Sequence, residues 1–192
     1  MSDPDAPFLF PVFLKLEGRT ALVVGAGTVA ERKIAALLES GATVRVVAPE
    51  ATDAVKALAR EGRIEWRQRG FEEADLDGAW LVFAATADVQ VQRFVSDAAS
   101  RRLVFCVAVD DPAHASAYSG AVVRRPPFAI AISSSGAAPA LTRLVREVVE
   151  GVLPGDDWIA RAEQLRDRWR AEGTPMQDRF DELVRELRGP RP

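Results

Sequence analysis

Short apolar runs alternate with helical patterns through the first half of the chain. Five runs of strand length, rich in valine and alanine, are Thr20–Val24, Val44–Ala48, Ile64–Arg67, Leu81–Ala84 and Phe105–Val109. Three segments with apolar residues at helical spacing separate most of them, at Thr28–Ser40, Thr52–Glu61 and Val89–Arg101. Strands that alternate with helices form parallel βαβ units. The pattern therefore predicts an α/β fold with a Rossmann-like, doubly wound parallel sheet.

The pattern changes after Val109. Two short β-rich runs, Ala121–Arg124 and Phe128–Ser133, follow one another with no helix between them. Because such a hairpin does not extend a parallel sheet, we expect it to pair with a second subunit. Helical patterns then run from Pro139 to Glu150, where Gly151 is expected to end the first of them, and on towards the C-terminus. We therefore predict a Rossmann domain at 1–112, a β dimerisation element at 113–138 and a helical module at 139–192.

A glycine turn joins the first predicted strand to the first predicted helix. Gly25 permits a sharp turn, and Gly27 has no Cβ to block the approach of a phosphate to the backbone. The helix that follows directs unpaired N–H groups and the positive end of its dipole at the same place. We expect the pyrophosphate of a dinucleotide here, and the alternative is a structural turn without a ligand.

Ligands of a doubly wound sheet bind outside the carboxyl ends of its strands. At the end of the second strand, Ala48 stands where an acidic residue usually binds the adenine ribose, and Glu50 lies two residues on. No arginine follows directly to favour a 2′-phosphate, so the pattern favours NAD over NADP. Thr86 follows the fourth strand, where it either lines a nicotinamide site or shares a helix N-cap with Asp88.

Two residues after the fifth strand are candidates for proton transfer. Asp110 ends an apolar strand at the cofactor edge, where a general base would sit, although aspartate is also ordinary in a turn before Asp111-Pro112. His114 is the only histidine, either a solvated loop residue or a group with a metal or acid–base role. No His, Cys or Glu cluster has metal-ligand spacing, so we expect no preformed metal site.

A serine-rich turn before Pro139 is a second candidate anion site. Ser133-Ser134-Ser135-Gly136 brings hydroxyls and N–H groups together, although a plain N-cap cluster has the same composition. Four arginines surround it in sequence, at Arg124, Arg125, Arg143 and Arg146. They are either ordinary solvated charges or a set suited to a substrate rich in carboxylates.

Composition narrows the class of partner. The net charge of −3 over 192 residues includes no sustained basic stripe, so nucleic acid is not an expected partner. The single cysteine, Cys106, lies in an apolar run, which excludes disulfides and favours a reducing compartment. The N-terminus resembles no signal peptide and no apolar stretch approaches membrane-spanning length, so we expect a cytoplasmic protein without a membrane partner.

Five motifs occur in an informative order, at Phe10–Leu16, Val23–Lys33, Ala84–Asp88, Val109–Pro112 and Ile130–Pro139. In combination they resemble the N-terminal module of siroheme synthases, the precorrin-2 dehydrogenase and sirohydrochlorin ferrochelatase family. The resemblance runs from about Phe10 to Pro154. The fused uroporphyrinogen methyltransferase of the long bacterial version is expected to be absent, because the sequence ends at Pro192.

The resemblance implies a Rossmann domain, a β element that interlocks two subunits of a homodimer, and a helical module. It also implies NAD-dependent oxidation of precorrin-2 to sirohydrochlorin in siroheme biosynthesis. Some members insert Fe²⁺ into the product in the same cleft. A bifunctional dehydrogenase and ferrochelatase is therefore one alternative. A non-catalytic sensor that binds a dinucleotide or a tetrapyrrole is an alternative of another class.

Functional residues of the family can be carried over by position. The resemblance implies that Asp110 corresponds to the family's essential aspartate, and Gly25 and Gly27 to its turn glycines. It implies cofactor contacts at Thr28, Val29, Pro49 and Glu50, with Thr86 nearby. Ser134 corresponds to a serine that is phosphorylated in a bacterial relative. We expect the carboxylates of the tetrapyrrole at Ser133, Ser134, Arg124 and Arg146.

The chain departs from the family pattern at two places near this expected substrate site. Val107-Ala108-Val109 replaces the usual Asn-Val-Val before the aspartate, and the missing asparagine is the feature that favours the sensor. Tyr118-Ser119-Gly120-Ala121 replaces an aromatic-x-x-proline element.

Overall fold

The protein is described by a computed structural model at residues 9–109, 111–126, 128–153 and 156–188. Its strands are β1 Thr20–Val24, β2 Thr43–Val47, β3 Glu65–Arg67, β4 Ala79–Ala84, β5 Phe105–Ala108, β6 Ala121–Arg125 and β7 Phe128–Ile132. Its helices are α1 Thr28–Glu39, α2 Asp53–Arg60, α3 Val89–Arg101, α4 Pro139–Val152, α5 Asp156–Glu172 and α6 Met176–Arg188. Short 3₁₀ helices lie at Glu73–Leu76 and Pro112–His114.

Strands β1 to β5 form one parallel sheet in the order β3-β2-β1-β4-β5. The central strand β1 is buried on both faces, which explains its unbroken apolar sequence. Its Ala21 and Val23 pack with α1 and α2, whereas Leu22 and Val24 pack with α3. The predicted doubly wound sheet is thereby confirmed. Its strand order reverses between β1 and β4, which is where ligands of this fold bind.

The chain divides into two compact units. The first consists of the residues up to Ser119 together with Ser133–Ala138, and the second consists of Gly120–Ile132 and the residues from Pro139 onwards. The predicted division into a Rossmann domain at 1–112, a β dimerisation element at 113–138 and a helical module at 139–192 stays a prediction.

In the second unit, β6 and β7 pair antiparallel as the predicted hairpin. Helix α4 packs against both strands, and Val123 of β6 is buried. Helices α5 and α6 contact each other, and the indole Nε1 of Trp169 donates to Glu182 Oε2 at 2.7 Å.

The prediction that Gly151 ends α4 is wrong. The helix continues to Val152, and the N–H of Leu153 still donates to the carbonyl of Val149 at 3.1 Å. Gly151 is absent from the positive-φ glycines of the described residues, so it does not adopt the left-handed conformation of a C-terminal glycine.

A buried carboxylate holds the connection that crosses from β3 to β4. Asp75 lies in the first 3₁₀ helix, and its side chain is fully buried. Its Oδ1 accepts hydrogen bonds from Arg67 and Arg69 at 2.7 Å each, and its Oδ2 accepts from Arg69 at 2.8 Å and from the N–H of Glu72 at 2.9 Å. Burial opposes ionisation, but these four bonds outweigh it and lower the pKa of Asp75 to about 2.

We predict that Asp75→Asn lowers the free energy of unfolding at neutral pH by about 2–3 kcal/mol, because the neutral amide loses the stabilisation that the depressed pKa of the carboxylate represents. The pKa is depressed by folding, so the carboxylate stabilises the protein fully above its ordinary value of 3.8 and loses that effect as the pH falls towards about 2. Urea unfolding at several pH values measures both effects. Glu61→Gln, at an exposed ion pair with Arg63 3.9 Å away, is the matched control and should change little. A pH-independent loss would contradict the assignment.

Candidate functional site

The turn after β1 touches the end of β4. Gly25 has φ +106°, and a Cβ at this position would lie 2.3 Å from the carbonyl oxygen of Ala85 and 2.7 Å from its carbonyl carbon. Both the left-handed conformation and the contact therefore require glycine. The N–H of Ala85 donates to the carbonyl of Val24 at 2.8 Å, so the ends of the two strands are held together at the reversal of strand order.

The N-terminus of α1 opens beside this contact. Gly27 is its N-cap in an extended conformation (φ −83°, ψ −174°), with no side-chain cap, and a Cβ there would meet nothing within 4 Å. Thr28 and Val29 are exposed. The N–H groups of a first helical turn have no partner within the helix, so this terminus can bind an anion. The predicted turn is confirmed as a structure, and its contact with a cofactor stays a prediction.

The end of β2 lies next to the glycine turn. The N–H of Thr52 donates to the carbonyl of Ala26 at 3.1 Å, which ties the loop after β2 to that turn. Ala48 is buried and its carbonyl accepts from the Trp66 indole at 3.1 Å, whereas Pro49 and Glu50 are exposed. Glu50 is thus an accessible carboxylate near the place where the fold binds an adenine ribose.

The end of β4 carries a helix cap. Asp88 Oδ1 accepts from the N–H groups of Gln90 at 2.9 Å and Val91 at 3.2 Å, which makes Asp88 the N-cap of α3. The hydroxyl of Thr86 accepts from the N–H of Asp88 at 3.2 Å. The cap that the sequence suggested is present, and a contact of Thr86 with nicotinamide stays a prediction.

A buried glutamine holds the ends of β4 and β5 together. Gln92 of α3 donates through Nε2 to the carbonyl oxygens of Ala84, at 3.3 Å, and Val109. Gln92 was not predicted from the sequence, because a glutamine in a helical pattern gives no sign of being buried. Asp110, the predicted general base, lies outside the described residues.

The loop after β5 contains a hydrogen-bonded carboxylate–imidazole pair that was not predicted from the sequence. Nδ1 of His114 lies 2.8 Å from Oδ2 of Asp111, and the two side chains are 38 % and 22 % exposed. The hydrogen bond from His114 lowers the pKa of Asp111, and desolvation opposes this shift. Electrostatic attraction from His114 and Arg93 lowers the pKa further. The Asp-x-x-His spacing in a turn was the available signal.

The serine-rich turn packs against this loop within the first unit. Gly136 has φ +82°, and a Cβ there would lie 2.8 Å from Cγ of Pro112. Ser133 Oγ accepts from the N–H of Ser135 and Ser134 Oγ from the N–H of Ala138, each at 3.1 Å. Both bonds lie within the turn that precedes α4, so the expected N-cap role and the role in binding substrate both stay predictions.

The predicted substrate arginines lie in the second unit. Arg124 is exposed on β6, and Arg146 of α4 is 2.6 Å from Glu150 and 3.5 Å from Glu147. Arg146 is thus partly neutralised on its own helix, and the contact of both arginines with a substrate stays a prediction.

Neither a metal-binding cluster nor a membrane-spanning helix is found among the described residues. No group of three or more His, Cys, Asp or Glu side chains there is placed to hold a metal ion. None of the helices in the same part of the chain has the length and apolar character needed to cross a membrane.

Comparisons with known proteins agree with this geometry. A family model described as putative NAD(P)-binding matches residues 12–121. Siroheme synthase 3 of Aeromonas hydrophila is 41 % identical over 171 residues, which are 88 % of this chain and 36 % of that protein. Siroheme synthase of Photorhabdus laumondii is 39 % identical over 160 residues, 83 % of this chain and 34 % of that protein. The chain thus spans about a third of the length of these relatives.

A solved structure covers nearly the whole chain. The structure titled SirC, precorrin-2 dehydrogenase superimposes with a TM-score of 0.67 and 27 % sequence identity, over 92 % of this chain and 88 % of that one. The similarity therefore extends over the fold as a whole and not over the sheet alone.

We predict that Gly27→Asp abolishes NAD binding without unfolding the protein. Aspartate is a favourable N-cap and its Cβ meets no neighbour, so the fold should tolerate it, but its carboxylate would occupy and repel the pyrophosphate position. Calorimetric titration with NAD measures the affinity. Gly70→Asp adds the same charge where a Cβ also meets nothing within 4 Å, and it should bind NAD normally. Unchanged affinity in Gly27→Asp would place the cofactor elsewhere.

Proposed function

Because this chain belongs to the putative NAD(P)-binding family, we propose that it is an NAD-dependent dehydrogenase that oxidises precorrin-2 to sirohydrochlorin in siroheme biosynthesis. The observation that carries the proposal is the crevice between β1 and β4, where Gly25 touches Ala85 and α1 begins at an open Gly27. The similarity to a precorrin-2 dehydrogenase over 92 % of the chain supports the substrate. The siroheme synthases at about 40 % identity support the same pathway.

The residues at this edge fit a dinucleotide. The backbone at Gly25 and Gly27 and the N–H groups of Thr28 and Val29 would hold the pyrophosphate. Pro49 and Glu50 would contact the adenosine ribose, and Thr86 would lie towards the nicotinamide. Bound NAD⁺ supplies the acceptor for a hydride.

The chain's own contribution to the reaction is to orient the substrate and to remove a proton. The tetrapyrrole carries acetate and propionate groups, which the Ser133–Ser134 turn, Arg124 and Arg146 would bind through N–H groups and guanidinium charge. Asp110 follows β5 at the cofactor edge and would accept or relay the proton that leaves as conjugation extends. We place the activity in the cytoplasm, consistent with the buried free thiol of Cys106.

The proposal is tested by anaerobic incubation of the protein with precorrin-2 and NAD⁺. Appearance of NADH together with the absorbance spectrum of sirohydrochlorin would support it. Binding of NAD⁺ or of the tetrapyrrole without any NADH would instead favour the non-catalytic sensor.

A second candidate function is insertion of Fe²⁺ into sirohydrochlorin by the same protein. The curated relatives named siroheme synthase favour it, because siroheme is the iron complex. Sirohydrochlorin and Fe²⁺, supplied without NAD⁺, would give the siroheme spectrum faster than an enzyme-free reaction if the chain has this activity. A rate equal to that of the enzyme-free reaction would contradict the ferrochelatase activity, and dehydrogenation would then be the single proposed activity.

We predict that Asp110→Ala reduces turnover by about 10²–10⁴-fold, as expected for loss of a general base. The affinity for NAD should change little, because the proposed cofactor contacts lie on other loops. Turnover, NAD affinity and melting temperature are measured on one preparation. Asp97→Ala, on the exposed side of α3, removes a carboxylate without a proposed role and should retain turnover. Near-normal turnover in Asp110→Ala would end the assignment.

We also propose that the second unit forms a homodimer. On α4, five apolar side chains that are between 38 % and 75 % exposed recur at helical spacing, at Leu141, Leu144, Val145, Val148 and Val152. Val122 of β6 and Phe128 of β7 are also exposed, at 41 % and 45 %. A stripe of this kind is usual on a helix that packs against another surface, and a second copy of the hairpin and helix would cover it.

Light scattering at micromolar concentration should report about twice 20.9 kDa for the wild-type protein. We predict that Leu144→Glu shifts the species towards monomer, because it places a charge in the apolar stripe. Gln177→Glu adds the same charge to an exposed position of α6 and should remain a dimer. A monomeric wild-type protein would contradict the interface.

A further inference from the structure

We propose that the Asp111–His114 pair takes up the proton released by the dehydrogenation and passes it to solvent. This inference rests on the proposed function and extends it. The substrate loses a hydride to NAD⁺ and a proton to the protein. The proton then forms a bond with Nε2 of the His114 imidazole before it leaves to water. Asp111 is a positioning residue, because it acts only through the histidine.

The pair has the geometry that this role requires. Nδ1 of His114 lies 2.8 Å from Oδ2 of Asp111. A carboxylate at this distance accepts the Nδ1 proton, so neutral imidazole keeps its lone pair on Nε2. Among the described residues, Nε2 has no hydrogen-bond partner. The same carboxylate stabilises the imidazolium that forms when Nε2 takes up a proton.

Hydrogen bonds and a packing contact hold the loop that carries the pair in place. Tyr118 Oη donates to the carbonyl of Pro112 at 3.0 Å, and Gly136 packs against the Pro112 ring. The N–H of Ser116 donates to the carbonyl of Cys106 at 2.9 Å, which returns the loop to β5. The imidazole is therefore held at the sheet edge after β5 and is 38 % exposed, so a proton on it can leave to solvent.

Charges around the pair favour proton uptake over binding of a substrate carboxylate. Arg93 of α3 acts on Asp111 and favours its ionised form, so the negative charge beside the imidazole persists. That charge neutralises an imidazolium and weakens its attraction for a carboxylate. The Ser133–Ala138 segment, which packs on Pro112, carries no acidic or basic side chain.

We predict that His114→Gln lowers turnover of precorrin-2 by about 10²-fold at neutral pH, with the affinity for NAD unchanged. Free imidazole in the buffer should restore part of the lost rate in His114→Gly. Asp111→Asn should lower turnover less than His114→Gln does, because the imidazole remains but loses the carboxylate that orients it. Asp97→Asn on exposed α3 is the matched carboxylate-to-amide control and should keep the wild-type turnover.

An independent readout needs neither substrate nor turnover. His114 is the only histidine of the chain, so its ring nitrogens give one set of NMR signals. Their ¹⁵N shifts should show the Nδ1–H tautomer in the wild-type protein and in Asp97→Asn, and the loss of that preference in Asp111→Asn.

Three outcomes would overturn the inference. If His114→Gln turns over as fast as an active wild-type protein, the inference is overturned and the proposed function remains intact. A rise in KM confined to low pH, with kcat preserved, would assign the histidine to binding of a substrate carboxylate instead. Absence of NADH from the wild-type protein would overturn the proposed function and this inference together.

Discussion

The contact between Gly25 and Ala85 is the constraint on which the candidate site depends. The 2.3 Å that would separate a Cβ of Gly25 from the Ala85 carbonyl leaves no room for any other residue, and the positive φ independently excludes one. Because of this contact, the first turn of α1 opens at the crevice between β1 and β4. The loops after β2 and β4 are then tied to the same place by hydrogen bonds from Thr52 and Ala85. A single close backbone approach thus determines where an anion can bind.

Buried polar side chains near the sheet support this arrangement. Asp75 holds the segment that crosses from β3 to β4, and that crossing produces the reversal of strand order. Gln92 binds the carbonyls at the ends of β4 and β5. Each polar group is costly to bury and is stabilised by several partners, so the edge of the sheet is held by specific hydrogen bonds as well as by apolar packing.

The fold could be predicted from the sequence to a greater extent than the site. Strands β1 and β4 are continuous apolar runs, and the glycine turn has a spacing with few alternatives, so sequence pattern indicated both. The end of α4 was misjudged at Gly151, because a glycine stops a helix only where the chain adopts the left-handed conformation. Gln92 and Asp75 depend on partners that the fold brings within reach, whereas the Asp111–His114 pair had its Asp-x-x-His spacing as a local signal. Their residue types alone suggest exposed positions.

The first unit is not continuous in sequence, since it consists of the residues up to Ser119 and then of Ser133–Ala138. During synthesis the sheet can therefore emerge from the ribosome and assemble while the loop after β5 still lacks its Gly136 neighbour. The hairpin of β6 and β7 must be made before that neighbour arrives. Completion of the loop that carries His114 is thus coupled in time to synthesis of the β6–β7 hairpin. A nascent chain would acquire its sheet first and the fully packed edge of that sheet only later.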